Sequence, residues 1–161
     1  MRKKIWISKA YKNTKVDFIK SQMQINKLLE TNGIVEKQYT DSLEAGKNQI
    51  VFLKPLEFEG KKIKIGVKIT IPNVTEKNRN QLYRALFYYL KAKFESLTFG
   101  FVEEYNEAFV KEFMPYLIAD KSGRTVADLI LPKYADILPN VKQGEMLYLE
   151  EPEDKENPTG Q

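Results

Sequence analysis

The chain has 161 residues, 42% hydrophobic and 30% charged, with a formal net charge of +4. Histidine and cysteine are both absent, which excludes disulfides, thiolate nucleophiles, Cys/His zinc sites and triads built on a histidine base. What remains for chemistry is carboxylate, lysine, arginine, tyrosine and serine, a balance that points away from catalysis and from a bound cofactor.

Residues 1–13 are basic around Ile5, Trp6 and Ile7, which predicts a short strand or an arm pinned by Trp6. They lack the apolar core of a secretion signal. The longest apolar run, residues 85–90, is far too short to cross a membrane, and a cytoplasmic location is expected.

Residues 14–32 repeat apolar side chains at three- to four-residue steps, with Val16, Ile19, Met23, Leu28 and Leu29 as the stripe and Phe18 and Ile25 widening it. A helix is expected there, capped by Thr14 and Asp17 and stopped at Asn32-Gly33. Strands are expected over 34–41, 49–59 and 62–71. Pro55 cannot donate to a ladder and marks an edge or bulge. Residues 62–71 carry the clearest pattern: Ile63, Ile65, Val67, Ile69 and Ile71 alternate with Lys62, Lys64, Gly66, Lys68 and Thr70. One face is aliphatic and the other basic, as in a half-buried antiparallel strand.

A long helix follows over 75–97, with Leu82, Leu86, Tyr89, Leu90, Phe94 and Leu97 as its buried stripe, widened by Tyr83 and Phe87. Further helices are expected over 101–113 and 125–131, and Pro115 and Pro132 limit them. The aliphatic and aromatic pattern then fades, and residues 150–161 read as an acidic, disordered tail. The fold expected is a single α+β domain over 1–149: a three-stranded antiparallel sheet in α-β-β-β-α order, with added C-terminal helices.

Four constellations bear on function. Lys62, Lys64 and Lys68 on one strand face, with Lys54 and Lys61 close in sequence, and Lys77, Arg84 and Lys91 along one helix stripe form a candidate basic surface. Clustered lysine and arginine attract phosphate through charge and counterion release, although a solvated face or edge-protecting lysines give the same pattern. Asp41, Glu59 and Lys61 have the spacing of a metal-dependent nuclease, but the Glu-Gly-Lys falls in a turn, where a charged hairpin tip explains it better. Glu103, Glu104, Glu107 and Glu112 read as a solvated helix face, and residues 121–125 read as a capped turn rather than a phosphate loop. The aromatic residues crowded between Tyr83 and Tyr116 suit a helical core, with Tyr88 facing out beside Arg84 and Lys91 as a contact for a partner or a second copy.

The helix–three strands–helix order over 14–97 resembles that of double-stranded RNA-binding domains, as an order alone. Where that family begins its last helix with a lysine run, this chain reads Glu76-Lys77-Asn78-Arg79, and no residue role carries over. Residues 82–95 (LYRALFYYLKAKFE), with Phe99-Gly100-Phe101, Gly123-Arg124-Thr125-Val126 and Leu131-Pro132, resemble small proteins of bacteriophages and prophages. That group brings no activity with it and implies a viral or mobile-element setting.

The expectation is therefore a non-enzymatic accessory protein that binds DNA or RNA through Lys62, Lys64, Lys68, Lys77, Arg84 and Lys91. The alternatives are an assembly protein acting as a homo-oligomer or on a partner protein and, well behind, a metal-dependent nuclease. The modest +4 conceals a division. Residues 1–100 hold 20 Lys+Arg against 9 Asp+Glu, a net of +11, and residues 101–161 hold 6 against 13, a net of −7.

Overall fold

The computed structural model describes residues 10–99 and 104–137. The chain divides into two compact units, Met1–Ala127 and Asp128–Gln161. In the first, α1 (Phe18–Thr31) leads into β1 (Lys37–Ser42), β2 (Lys47–Phe58) and β3 (Lys61–Ile71), followed by α2 (Arg79–Ser96) and α3 (Tyr105–Phe113). The helix α4 (Val126–Ile130) spans the boundary, and the second unit holds a short 3-10 turn and α5 (Tyr134–Ile137). The fold is α+β, with one antiparallel sheet of order β1-β2-β3. The Trp6 arm and the acidic tail lie outside the described residues.

Asp17, not Thr14, caps α1, its carboxylate accepting from the Ile19 backbone N–H at 2.8 Å. Thr14 instead accepts from Val16 and shapes the preceding turn. The helix therefore starts later than expected, and its buried stripe is Ser21, Ile25 and Leu29. Ile19 and Met23, expected inside, are exposed. The periodicity is real but the stripe is narrower and rotated: Ile25 and Leu29 are fully buried and Phe18 packs against Tyr83 of α2, whereas Ile19 and Met23 face out. Gly33 (φ +77°) ends the helix as expected, its N–H bonding the Glu30 carbonyl at 3.0 Å.

In β2 the even-numbered residues Asn48, Ile50, Phe52, Lys54 and Leu56 are buried, and in β3 the odd-numbered Val67, Ile69 and Ile71. The register sets Phe52 opposite Val67 and Ile50 opposite Ile69, so these residues share one face. Glu59 and Gly60, both at positive φ, make the tight turn between β2 and β3. β1 pairs with β2 only as far as Lys37↔Phe52. Pro55 thus sits in the part of β2 that β1 does not flank, and its missing N–H costs no ladder bond.

Against the buried face pack α1, α2 and α3. The core stripe of α2 is Tyr83, Leu86, Leu90 and Phe94, and Tyr89 lies outside it, 41% exposed. Phe52, Phe94, Phe109 and Phe113 form an aromatic cluster, with Phe52 edge-on to Phe113 at 6.0 Å and Phe109 stacked on Phe113 at 4.6 Å. Most of the aromatic density is therefore core. Asn78 delays the start of α2. Its side chain accepts from Thr75 N–H and donates to the Asn73 carbonyl, which holds 73–78 as a loop.

The free edge of β3 is covered. Leu117 bridges Val67, Ile118 donates its N–H to the Gly66 carbonyl at 2.8 Å, and Thr125 bridges back to Ile118. This small hairpin lays the Ile118 side chain over Gly66, where an added Cβ would lie 2.9 Å from Ile118 Cδ1.

Candidate nucleic-acid interface

The alternation of β3 decides where its lysines go. Since Val67, Ile69 and Ile71 face the helices, Lys62, Lys64 and Lys68 face the opposite side of the sheet. On that side Lys64 pairs with Glu36, and Lys68 donates to the Gly123 carbonyl under the edge hairpin. Lys62 is exposed and lines an open hollow of about 370 Å³ with Pro55, Leu56, Glu57, Tyr105 and Asn106. Lys77 is exposed in the loop between β3 and α2.

Arg84 and Lys91 belong to the helix layer. Arg84 donates to the Gln24 side chain of α1 and to the Tyr88 hydroxyl at 3.0 Å. Lys91 lines a groove of about 350 Å³ with Gln24, Lys27, Leu28, Thr31 and Phe87. The strand lysines and the helix cations thus lie on opposite sides of the sheet and do not converge. The expected single surface is two surfaces, and Lys64 and Lys68 are already engaged within the chain.

The helix surface contains groups that the sequence reading did not join. On α1, Lys20, Gln24, Lys27 and Thr31 stand at i, i+4, i+7 and i+11, which places them on one stripe. Gln24 of that stripe bonds Arg84 of α2, and Gln24, Lys27 and Thr31 share the groove with Lys91. Beside it, Tyr11 stacks on Tyr88 with ring centres 5.3 Å apart and planes inclined by 9°. Arg84 lies 4.8 Å from the Tyr88 ring centre. The Ala10 carbonyl accepts from Gln81 at 2.7 Å and fastens the segment before α1 to α2. Tyr88 is indeed outward, at 38% exposure. The polar stripe of α1 was readable as the complement of its apolar one, once the phase was correct.

Three cations are structural. Lys54, read as part of the basic surface, is in phase with Phe52 and Leu56 and only 7% exposed. Its ammonium donates to the Asn32 carbonyl at the C-terminal end of α1 at 2.7 Å and lies 5.2 Å from the Tyr105 ring centre, which completes the helix end and its dipole. Burial lowers its pKa below the usual lysine value. Lys93 bonds the Glu112 carbonyl at 2.9 Å and side chain at 3.2 Å, tying α2 to α3. Arg79 pairs with Asp41 and lies 3.6 Å over the Phe18 ring.

Asp41 therefore serves an ion pair. In the register it faces Asn48 near the start of β2, whereas Glu59 follows the far end of that strand. Eleven strand residues separate those ends by roughly 35 Å, so the nuclease pattern does not assemble. Among the described residues no group of three acidic side chains could hold a metal ion, and Glu112 of the acidic set is engaged by Lys93. Residues 120–124 form a turn in which Asp120 accepts from Ser122 and Arg124. These bonds hold its carboxyl at about 2, below the usual range, with the Ser122 hydroxyl contributing most.

Near the Asp41–Arg79 pair the core is polar. Tyr39 donates to the Asn26 side chain at 2.9 Å, and burial raises its hydroxyl pKa. Tyr83 is raised as well, first by burial and then by the Asp41 charge. Its hydroxyl approaches Gln22 but finds no well-aligned hydrogen-bond partner, and the Ser21 hydroxyl and Asn48 amide lack partners within the chain.

Among the described residues no helix is long and apolar enough to cross a membrane. Comparison with known proteins finds no matching family model, no similar curated protein and no similar solved structure.

Proposed function

We propose that the chain is a non-catalytic nucleic-acid-binding protein, in the phage or mobile-element setting that residues 82–132 suggest, and that it binds through the α1–α2 surface. One observation carries this reading. Lys27 and Lys91 line a largely apolar groove with Leu28 and Phe87, and Arg84, bonded to Gln24 of that lining, lies against the stacked Tyr11–Tyr88 pair. Cations alternating with aromatic faces are what a polyanion carrying bases requires. On the sheet side Lys62 shares an open hollow with the exposed Tyr105, but the other two lysines there are already bonded within the chain.

The test is fluorescence anisotropy with labelled DNA and RNA oligonucleotides over a salt series. The double variant Lys27→Glu/Lys91→Glu is expected to lose binding, and Lys62→Glu/Lys64→Glu to keep most of it. Failure of the unaltered protein to bind any oligonucleotide at low salt defeats the reading, as does loss confined to the sheet variant. A second reading, assembly as a homo-oligomer, is favoured by Ile19 and Met23. These lie one turn apart on α1 at 56% and 65% exposure. Light scattering that shows a monomer at high concentration removes it.

A further inference from the structure

We infer that the strand recognised at the α1–α2 surface is single, with an unstacked base received against the aromatic groups there; this rests on the binding reading above. The groove floor is Leu28 and Phe87, and the cations stand at its rim. A duplex presents phosphates and keeps its base faces stacked inside, so it has nothing to set against an apolar floor. A single strand presents both, a π-face for stacking and a phosphate for each lysine. At about 350 Å³ the groove lies at the low end of small-ligand sites, about 300–1,000 Å³, which suits one base.

The Tyr11–Tyr88 pair extends this platform. One face of the Tyr88 ring is covered by Tyr11 in near-parallel contact, and Tyr11 itself remains 42% exposed. Its outer face is the next place in the stack. Tyr11 adopts φ +57°, a left-handed conformation that side-chain-bearing residues rarely take. The chain holds it there through the Thr14 N–H on its carbonyl at 3.0 Å and through the neighbouring Ala10–Gln81 bond. Arg84 and Lys91, seven residues apart on α2, are about 10 Å apart along the helix, and Lys20 and Lys27 repeat that spacing on α1.

The experiment compares four labelled probes of equal length at one salt concentration: single-stranded DNA, single-stranded RNA, duplex DNA, and an abasic strand that keeps the phosphates without bases. Both base-bearing single strands, or one of them, are expected to bind at least about five-fold tighter than the duplex and the abasic strand, the lower bound for stacking one base. Tyr11→Ala, which removes an exposed ring outside the core, is expected to reduce that preference by weakening base-bearing strands more than the abasic strand. Circular dichroism confirms its fold. Equal or tighter duplex binding overturns the inference but leaves the binding function standing. So does an equal loss of abasic and single-strand affinity in Tyr11→Ala. Absence of binding to all four probes overturns both.

Discussion

Gly66 offers a sharp check on the packing, because the ordinary expectation for its replacement has the opposite sign. Glycine in a strand interior is weak, and alanine there gains about 0.5–1 kcal/mol from the reduced entropy of the unfolded chain. At Gly66, however, an added Cβ meets Ile118 Cδ1 at 2.9 Å and its Cβ and Cγ1 at 3.4 Å. Relief requires the Ile118 side chain to move, yet the Ile118 backbone is fixed by its bond to the Gly66 carbonyl and its bridge to Thr125. Overpacking of this kind costs about 1–3 kcal/mol, so Gly66→Ala should destabilise by a net of about 0.5–2 kcal/mol. In an Ile118→Ala background the closest contact is gone, and Gly66→Ala should become neutral or stabilising, a coupling of about 1 kcal/mol or more. Urea unfolding of the four proteins, followed by circular dichroism, measures it. If Gly66→Ala has the same effect in both backgrounds, the edge hairpin is not seated on Gly66.

Three further predictions come from the polar groups. Tyr83→Phe should cost less than about 0.5 kcal/mol or stabilise, since a buried hydroxyl without an aligned partner contributes nothing, whereas Tyr39→Phe should cost about 1 kcal/mol through its bond to Asn26; thermal unfolding of the two variants compares them directly. Arg79→Met should destabilise by up to about 3 kcal/mol by leaving a half-buried Asp41 carboxylate unpaired, and adding Asp41→Asn should recover part of it; recovery absent from denaturant curves would rule out the pair as the cause. For Asp120 the folded pKa lies below the unfolded one, so its stabilising effect is complete above the ordinary carboxylate value near 3.8 and is lost as pH falls through about 2. A carboxyl carbon NMR titration should find its midpoint near 2, and a midpoint near 4 would mean that the turn bonds are absent in solution.

The sheet was legible because its signal is local. Strict alternation over 62–71 and the Glu59-Gly60 turn determine which side chains share a face whatever packs above them. The helices were legible as helices but not in phase. On α1, Ser21 is buried while Ile19 and Met23 are exposed, and hydrophobicity alone assigns these three the other way. Which face of a helix is buried depends on what packs against it, and here Ile25 and Leu29 lie in the core while Phe18 meets Tyr83 of α2. The candidate surface failed to converge for a related reason. Lys62, Lys64 and Lys68 were correctly placed on the non-aliphatic face of β3, but that face and α2 lie on opposite sides of one sheet, a relation that no spacing along the chain expresses. Lys54 shows the same limit, since only its phase with Phe52 and Leu56 marks it as interior.

These placements also revise what the charge division means for binding. The net of +11 over residues 1–100 suggests a polyanion site that engages many phosphates. At least six of the 20 cations of that segment are engaged within the chain: Lys54 with the Asn32 carbonyl, Lys93 with Glu112, Arg79 with Asp41, Lys64 with Glu36, Lys68 with the Gly123 carbonyl and Lys37 with Glu30. The α1–α2 surface offers Lys20, Lys27, Arg84 and Lys91; Arg84 is held by Gln24 and the Tyr88 hydroxyl, and Lys91 has a 3.8 Å exposed contact to Glu95. Four phosphate contacts to a single strand give a slope of about −3 in a plot of log affinity against log salt, whereas engagement of the whole excess would give about −8. Lys27→Glu should flatten the slope by about one contact, roughly 0.7, and Lys62→Glu should leave it unchanged. A slope near −8, or one that responds to Lys62 rather than Lys27, would show that binding extends beyond the α1–α2 surface.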